Sequence, residues 1–349
     1  MFYILPVILL FAALPAISNK TRKEQRMFFI FVIVLTIITG LRKVSPFPDL
    51  PNYEHYFFTG EYAVSYATTE NINIGYELLN NLFHWSNSFH ILLFVITVFV
   101  MYGFSKTIAS YSPYLFFSLF LFAIVDFHLS CFLLRQYLAV AVCLLSIPFI
   151  IERKLVKYLV CMVIASSFHT SALAFVPMYF LYRNRIIHSY KVAVYTGFGF
   201  AVLFGGTIVV LLTGFLNTYY QHYLLYEGGG SIARLLMKVY LLFIFVYVLK
   251  NKVWDRGINQ VVFFMMLMSV FICVCGLSIP IFYRMRMMYS ISEILGIPLI
   301  ILYCKNKQQL KRLVIYSMVG LYILVLAVSY RNTLIDNDLV NAFDLYWRE

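Results

Sequence analysis

Apolar runs close to the roughly 20 residues needed to cross a bilayer recur along the whole chain, separated by short polar or basic stretches. No short alternating pattern replaces them, so the runs predict helices rather than the strands of a barrel. They fall approximately at 2–17, 27–41, 89–105, 113–125, 131–151, 155–168, 171–182, 192–214, 232–249, 258–279, 287–303 and 313–330. Several are shorter than a full crossing. The expected fold is all-α: a polytopic membrane helical bundle of about 12 transmembrane helices, forming a single transmembrane domain over 1–349 with no internal repeat.

Composition strengthens this reading. The chain is 62% hydrophobic, only 12% charged, and has a mean hydropathy of +0.84, values that a soluble domain of 349 residues would not tolerate. The net charge of +12 raises nucleic acid as a partner, but no basic stripe or aromatic platform lies in a soluble region, so none is expected. Topology accounts for the charge instead. Most basic residues cluster at 20–26, 106, 153–157, 183–191, 250–256 and 305–312, which the positive-inside rule assigns to cytoplasmic loops. Met1 to Ile17 has no basic residue before it and a basic cluster after it, which predicts a retained first helix with its amino terminus outside. The six cysteines lie in or beside apolar runs without metal-ligand spacing, so packing is their expected role and no disulfide is implied.

Three polar intervals break the apolar pattern. Residues 42–88 form the longest, rich in proline, acid and tyrosine and poor in basic clusters, and are expected as a periplasmic or outer loop that is either a tethered cap or a lid. A second outer loop, 215–231, carries Tyr219, Tyr220, Tyr223 and Tyr226. Their rings suit sugar stacking, but an interfacial belt is the simpler reading for any single one. The segment 155–182 is too short for two full crossings and has basic residues at both ends, which predicts a broken helix hairpin with its break at Ser166–Ser171. Irregular backbone at membrane depth survives only when buried in protein or facing a watery cavity. Thr170 or Ser171 is placed to cap the second half, leaving an anion-attracting N-terminus with His169 beside it. His169 itself reads either as a packed hydrogen-bonding residue or as a functional one.

Basic residues outside the inside loops point to a site. Arg42, Arg135, Arg284 and Arg286 lie near outer helix ends, where a charge in hydrocarbon would cost about 2.5 to 3.5 kcal/mol on insertion scales. Their planar forks suit a pyrophosphate. Snorkelling to headgroups is the simpler role for Arg331 and Arg348, and is open to Arg286 as well. Among the acids, Asp49 and Glu54 lie in the long interval, Asp126 is placed to cap a helix, and Glu293 is expected to pair with a buried arginine or polar group. HExxH, GxSxG, P-loop and paired CxxC motifs do not occur, so a zinc protease, serine hydrolase or nucleotide-driven pump has no support.

Gly40-Leu41-Arg42, Asp49, Asn52-Tyr53, Gly75-Tyr76-Glu77-Leu78-Leu79-Asn80, Arg135-Gln136 and Ala165-Ser166-Ser167-Phe168-His169-Thr170-Ser171-Ala172-Leu173 together resemble the EpsG family of bacterial polysaccharide polymerases, related in role to Wzy O-antigen polymerases. The resemblance runs over roughly residues 1 to 300 and is strongest from 131 to 177. It implies a GT-C-like, multi-pass glycosyltransferase of the bacterial inner membrane with its active site facing the periplasm. Such an enzyme moves a growing polysaccharide from undecaprenyl diphosphate to the non-reducing end of a lipid-linked repeat unit. It further implies an undecaprenyl-diphosphate-linked oligosaccharide and a chain-length regulator protein as partners beside the lipid bilayer, with no cofactor and no metal. On that reading Arg135 and Arg284 take the diphosphate, Arg42 is a third clamp, and His169 is the base, with Asp49 second. Gln136, Thr170, Ser171, Tyr53 and Arg286 complete the substrate-binding set. A flippase for the same lipid-linked unit, an O-antigen ligase and a non-enzymatic scaffold of a glycan assembly complex are the rival readings.

Overall fold

The computed structural model describes residues 21–44, 47, 49–61, 73–183, 232–278, 282 and 285–304, with single positions at 309, 312, 316, 317 and 320. Among these, every element is a helix. Four are long and apolar enough to cross a membrane: Phe89–Tyr111, Leu134–Ile151, Ile258–Leu277 and Arg286–Tyr303. The helical membrane class therefore holds, while the count of about twelve does not follow from these four spans. The expected spans 2–17 and 192–214, and all of 313–330 but positions 316, 317 and 320, lie outside the described residues. Two compact units divide the chain: Met1–Leu145 with Val160–Thr170 and Leu313–Glu349, and Ser146–Leu159 with Ser171–Arg312.

The first unit begins with α1 (Arg22–Gly40), opened by a capping box in which the Thr21 hydroxyl accepts from Glu24 N at 3.2 Å and the Glu24 carboxylate accepts from Thr21 N at 2.8 Å. The polar interval 42–88 holds two helices that the apolar pattern did not mark. The first, α2 (Leu50–Thr59), has Pro51 in its first turn, where a missing N–H costs nothing, and ends at Gly60 with φ of 75°. It buries Leu50, Tyr53, Tyr56 and Phe57, so this stretch is packed onto the unit. The second, α3 (Ile74–Phe83), buries Gly75, Tyr76 and Asn80 and leaves Ile74, Leu78 and Leu82 exposed one turn apart. In a membrane protein such a stripe belongs against lipid.

Next comes α4 (Phe89–Tyr111), then α5 (Leu115–Phe122), which runs through a π-helical turn at Ala123–Phe127 into His128–Ser130. A tight turn leads to α6 (Leu134–Leu145), which continues after Ser146 as Ile147–Ile151. Helices α4 and α6 approach closely at Gly103: a Cβ there would lie 2.9 Å from the Ala141 Cβ and 3.2 Å from its carbonyl oxygen. Small residues at such a crossing let backbones meet, which matters in a bilayer where hydrophobicity alone does not drive helices together.

Helix α7 (Leu155–Phe168) starts in the second unit and ends in the first. A six-residue 3-10 segment, Thr170–Phe175, succeeds it and leads into the five-residue α8 (Pro177–Leu181). The break at His169 lies within the expected 166–171, and the second half opens as 3-10 helix, so its first turn lacks the aligned α-helical dipoles expected to attract an anion. Within the second unit the base of this segment is clasped. Arg153 Nη1 donates to the carbonyls of Tyr179 (2.5 Å) and Tyr182 (3.0 Å), Tyr179 Oη donates back to Arg153 O (2.8 Å), and Tyr158 Oη donates to Phe175 O (2.6 Å). The same unit holds α9 (Ile232–Leu249), α10 (Ile258–Ser278) and α11 (Ile291–Tyr303).

Candidate functional site

Arg135 stands in the first turn of α6, half-buried, with its Nε donating a long hydrogen bond of 3.4 Å to Tyr53 Oη. The guanidinium carbon lies 5.8 Å from the centre of the same ring, within cation–π range. Tyr53 packs on Tyr76 of α3 at 5.3 Å between ring centres, and Tyr56 packs on Tyr76 at 6.3 Å. The Tyr56 phenol is pushed above its ordinary pKa first by burial, then by the Glu77 carboxylate, with Arg135 opposing. Glu77 and Arg135 thus act on one phenol from separate helices.

The same α3 reaches the end of α7. Asn73, immediately before α3, donates from Nδ2 to the carbonyl of Phe168 at 2.7 Å. Gly75 lies so close to Ser167 that a Cβ would run into its hydroxyl and come within 2.9 Å of its backbone C and O. His169, the next residue after α7, still donates its backbone N–H to Ala165 O at 3.1 Å, and its side chain is half-buried. Segments near 53, 75, 135 and 168, far apart in sequence, therefore meet within one unit.

Arg42 occupies a different environment. It is 1% exposed, and its Nη1 donates to Thr39 O (2.5 Å) and Thr97 Oγ1 (3.0 Å) while Nη2 donates to Cys131 O (2.5 Å). Phe47 lies under the guanidinium carbon at 5.9 Å and packs on Phe132 at 6.3 Å. The side chain fastens the end of α1 to α4 and to the turn that launches α6. Beside it is a small recess lined by Thr39, Arg42, Thr97 and Ser130 among others.

The remaining expected residues divide between the two units. Gln136 is buried behind Arg135. Asp49 heads α2, where its carbonyl accepts from Tyr53 N at 3.2 Å, but its side chain does not cap the helix. Thr170 is exposed, and Ser171 is buried and belongs to the second unit. Arg286, also of the second unit, is buried in the 3-10 turn Arg286–Tyr289. Arg284 and the loop 215–231 lie outside the described residues. One acid differs from expectation: Asp126 does not cap a helix but sits in the π turn, where its Oδ1 accepts from Tyr137 Oη at 2.8 Å. Glu293 is paired with a buried polar group as expected, here the Lys238 ammonium, and both side chains are buried.

Sequence reasoning passed over Asn73, Tyr56 and Glu77 as site residues. The signal for them was the spacing of Asn73 and Glu77, four apart at a helix start, beside the Gly75-Tyr76-Glu77 motif. Among the described residues, no three of His, Cys, Asp and Glu come together in a way that could hold a metal ion.

The fold and this gathering of polar side chains define a polytopic helical membrane protein with an arginine–tyrosine cluster built from distant segments. The EpsG family profile matches residues 25–341, nearly the whole chain, and the protein belongs to the EpsG family. The family includes Wzy-type polymerase-like proteins, and membership points to a membrane glycosyltransferase-like polymerase. No curated protein and no solved structure matches it.

Proposed function

We propose that the protein polymerises a surface glycan at the outer face of the bacterial inner membrane, moving the growing chain from undecaprenyl diphosphate to the non-reducing end of a lipid-linked repeat unit. The observation that carries this reading is the junction of Arg135 with Tyr53, Tyr76 and the Asn73–Phe168 contact next to His169. In the reaction an acceptor hydroxyl attacks the anomeric carbon, and the bond to the diphosphate breaks. Arg135 stabilises the charge gathering on the departing diphosphate, because a guanidinium stays ionised and offers paired donors. Tyr53 holds that guanidinium in place. His169 takes the proton from the hydroxyl, its ordinary pKa lying near neutrality. Arg284 is a second diphosphate ligand in this reading, drawn from the sequence alone. A chain-length regulator is the expected protein partner.

Gel analysis of the surface glycan from strains carrying Arg135→Ala tests the assignment. Normal amounts of membrane-embedded protein, no long glycan, and lipid A still carrying single repeat units are the expected result. Full-length polymer from that strain would refute it, and loss of even single units would point to the flippase or ligase instead. His169→Gln keeps hydrogen bonding but removes the proton acceptor, and unchanged turnover would reduce His169 to a packing residue.

A further inference from the structure

We propose that Glu77 is the acceptor-side residue of this site, its carboxylate taking a hydrogen bond from a hydroxyl of the incoming sugar while Arg135 holds the donor diphosphate. The proposal rests on the polymerase reading and extends it to a residue with no assigned role. Glu77 lies in the first turn of α3, four residues after Asn73, so the two share a helix face. Asn73 is fastened to Phe168 beside His169, while Tyr76, next to Glu77 in sequence, packs on Tyr53, which accepts from Arg135. The carboxylate is thereby set between the end of α7 and the Arg135 cluster, and its charge is felt at Tyr56 together with that of Arg135.

The side chain is exposed and makes no hydrogen bond or ion pair among the described residues. Among the described residues it therefore serves no folding role through an internal partner, and an ionised carboxylate has acceptor capacity on both oxygens for the hydroxyl donors that a sugar ring presents. Its place on the helix completes the picture. Glu77 borders the exposed stripe of Ile74, Leu78 and Leu82, so a hydroxyl-rich headgroup reaching the carboxylate leaves its lipid tail beside apolar surface. Such an arrangement fits a lipid-linked sugar.

The test measures binding to the purified full-length protein in lipid nanodiscs with two probes: repeat-unit oligosaccharide released from the source strain's surface glycan, and undecaprenyl diphosphate. Glu77→Ala should weaken the oligosaccharide by about tenfold or more, the loss of one charge-assisted hydrogen bond, and leave undecaprenyl diphosphate unchanged. Glu77→Gln should fall between, since its carbonyl still accepts. A merely structural carboxylate favouring the α3 dipole would lower the melting temperature and leave both affinities alone. That outcome, or wild-type protein that ignores the oligosaccharide, overturns the proposal. Arg135→Ala separates the two ideas: unchanged binding of undecaprenyl diphosphate would sink the polymerase assignment of Arg135 and not that of Glu77.

Discussion

Tyr53 Oη accepts a hydrogen bond from Arg135 Nε across 82 residues of chain, joining α2 to the start of α6. Tyr53→Phe removes the acceptor and keeps the ring that packs on Tyr76. A single neutral partner contributes about 0.5 to 1.5 kcal/mol, so polymer output should fall roughly 2- to 10-fold at unchanged protein level. Turnover on lipid-linked substrate checks this, and wild-type turnover in the variant would show that the contact does not aim Arg135.

Gly75 controls how closely α3 meets the end of α7. In Gly75→Ala the new methyl group must displace Ser167, including its backbone, so trimming Ser167 to Ala should not rescue it. Overpacking of this kind costs about 1 to 3 kcal/mol. A lower melting temperature with a disproportionate loss of polymer is expected, and a variant that melts and works like the parent would contradict the close approach.

Arg42→Ala should act on folding before chemistry. It removes a buried cation and leaves Cys131 O without its donor, at roughly 1 to 3 kcal/mol, while Thr39 O keeps the backbone N–H of residue 42 and the Thr97 hydroxyl keeps its bond to Leu93 O. Membrane-embedded protein should drop sharply by immunoblot, with partial recovery in Arg42→Lys. Normal abundance with lost diphosphate binding would instead make Arg42 a ligand.

Lys238 and Glu293 lie 3% and 2% exposed and join α9 to α11. Removing one member strands the other charge, at about 3 to 5 kcal/mol, whereas replacing both by apolar residues is often close to neutral. Lys238→Met should therefore melt well below the parent, and the Lys238→Met, Glu293→Met double variant should regain most of the loss. An additive double variant would rule out a coupled pair.

The helical pattern was legible because each apolar run satisfies its backbone locally, which is the only arrangement short of a barrel that a bilayer permits. α4, α9 and α10 lie close to where hydropathy placed them. The helices α2 and α3 were not visible, because ten-residue segments with one buried face carry no crossing signal and owe their stability to packing against the rest of the unit. Aromatic residues in α2 fit an interfacial belt equally well on sequence grounds, and only the packing of Tyr53 against Tyr76 and Arg135 distinguishes them.

By itself the sequence determined the solvent, the helical class and membership of the EpsG family, since these depend on composition, local periodicity and motif spacing. Only the tertiary structure separated its charges. Arg42 and Arg135 look alike in the sequence, two arginines bordering apolar runs, yet one is shut in by Thr39, Thr97 and Cys131 while the other stays half-buried against Tyr53. Burial and hydrogen-bond partners come from residues tens of positions away, and no local pattern encodes which neighbours the fold will bring to a given guanidinium.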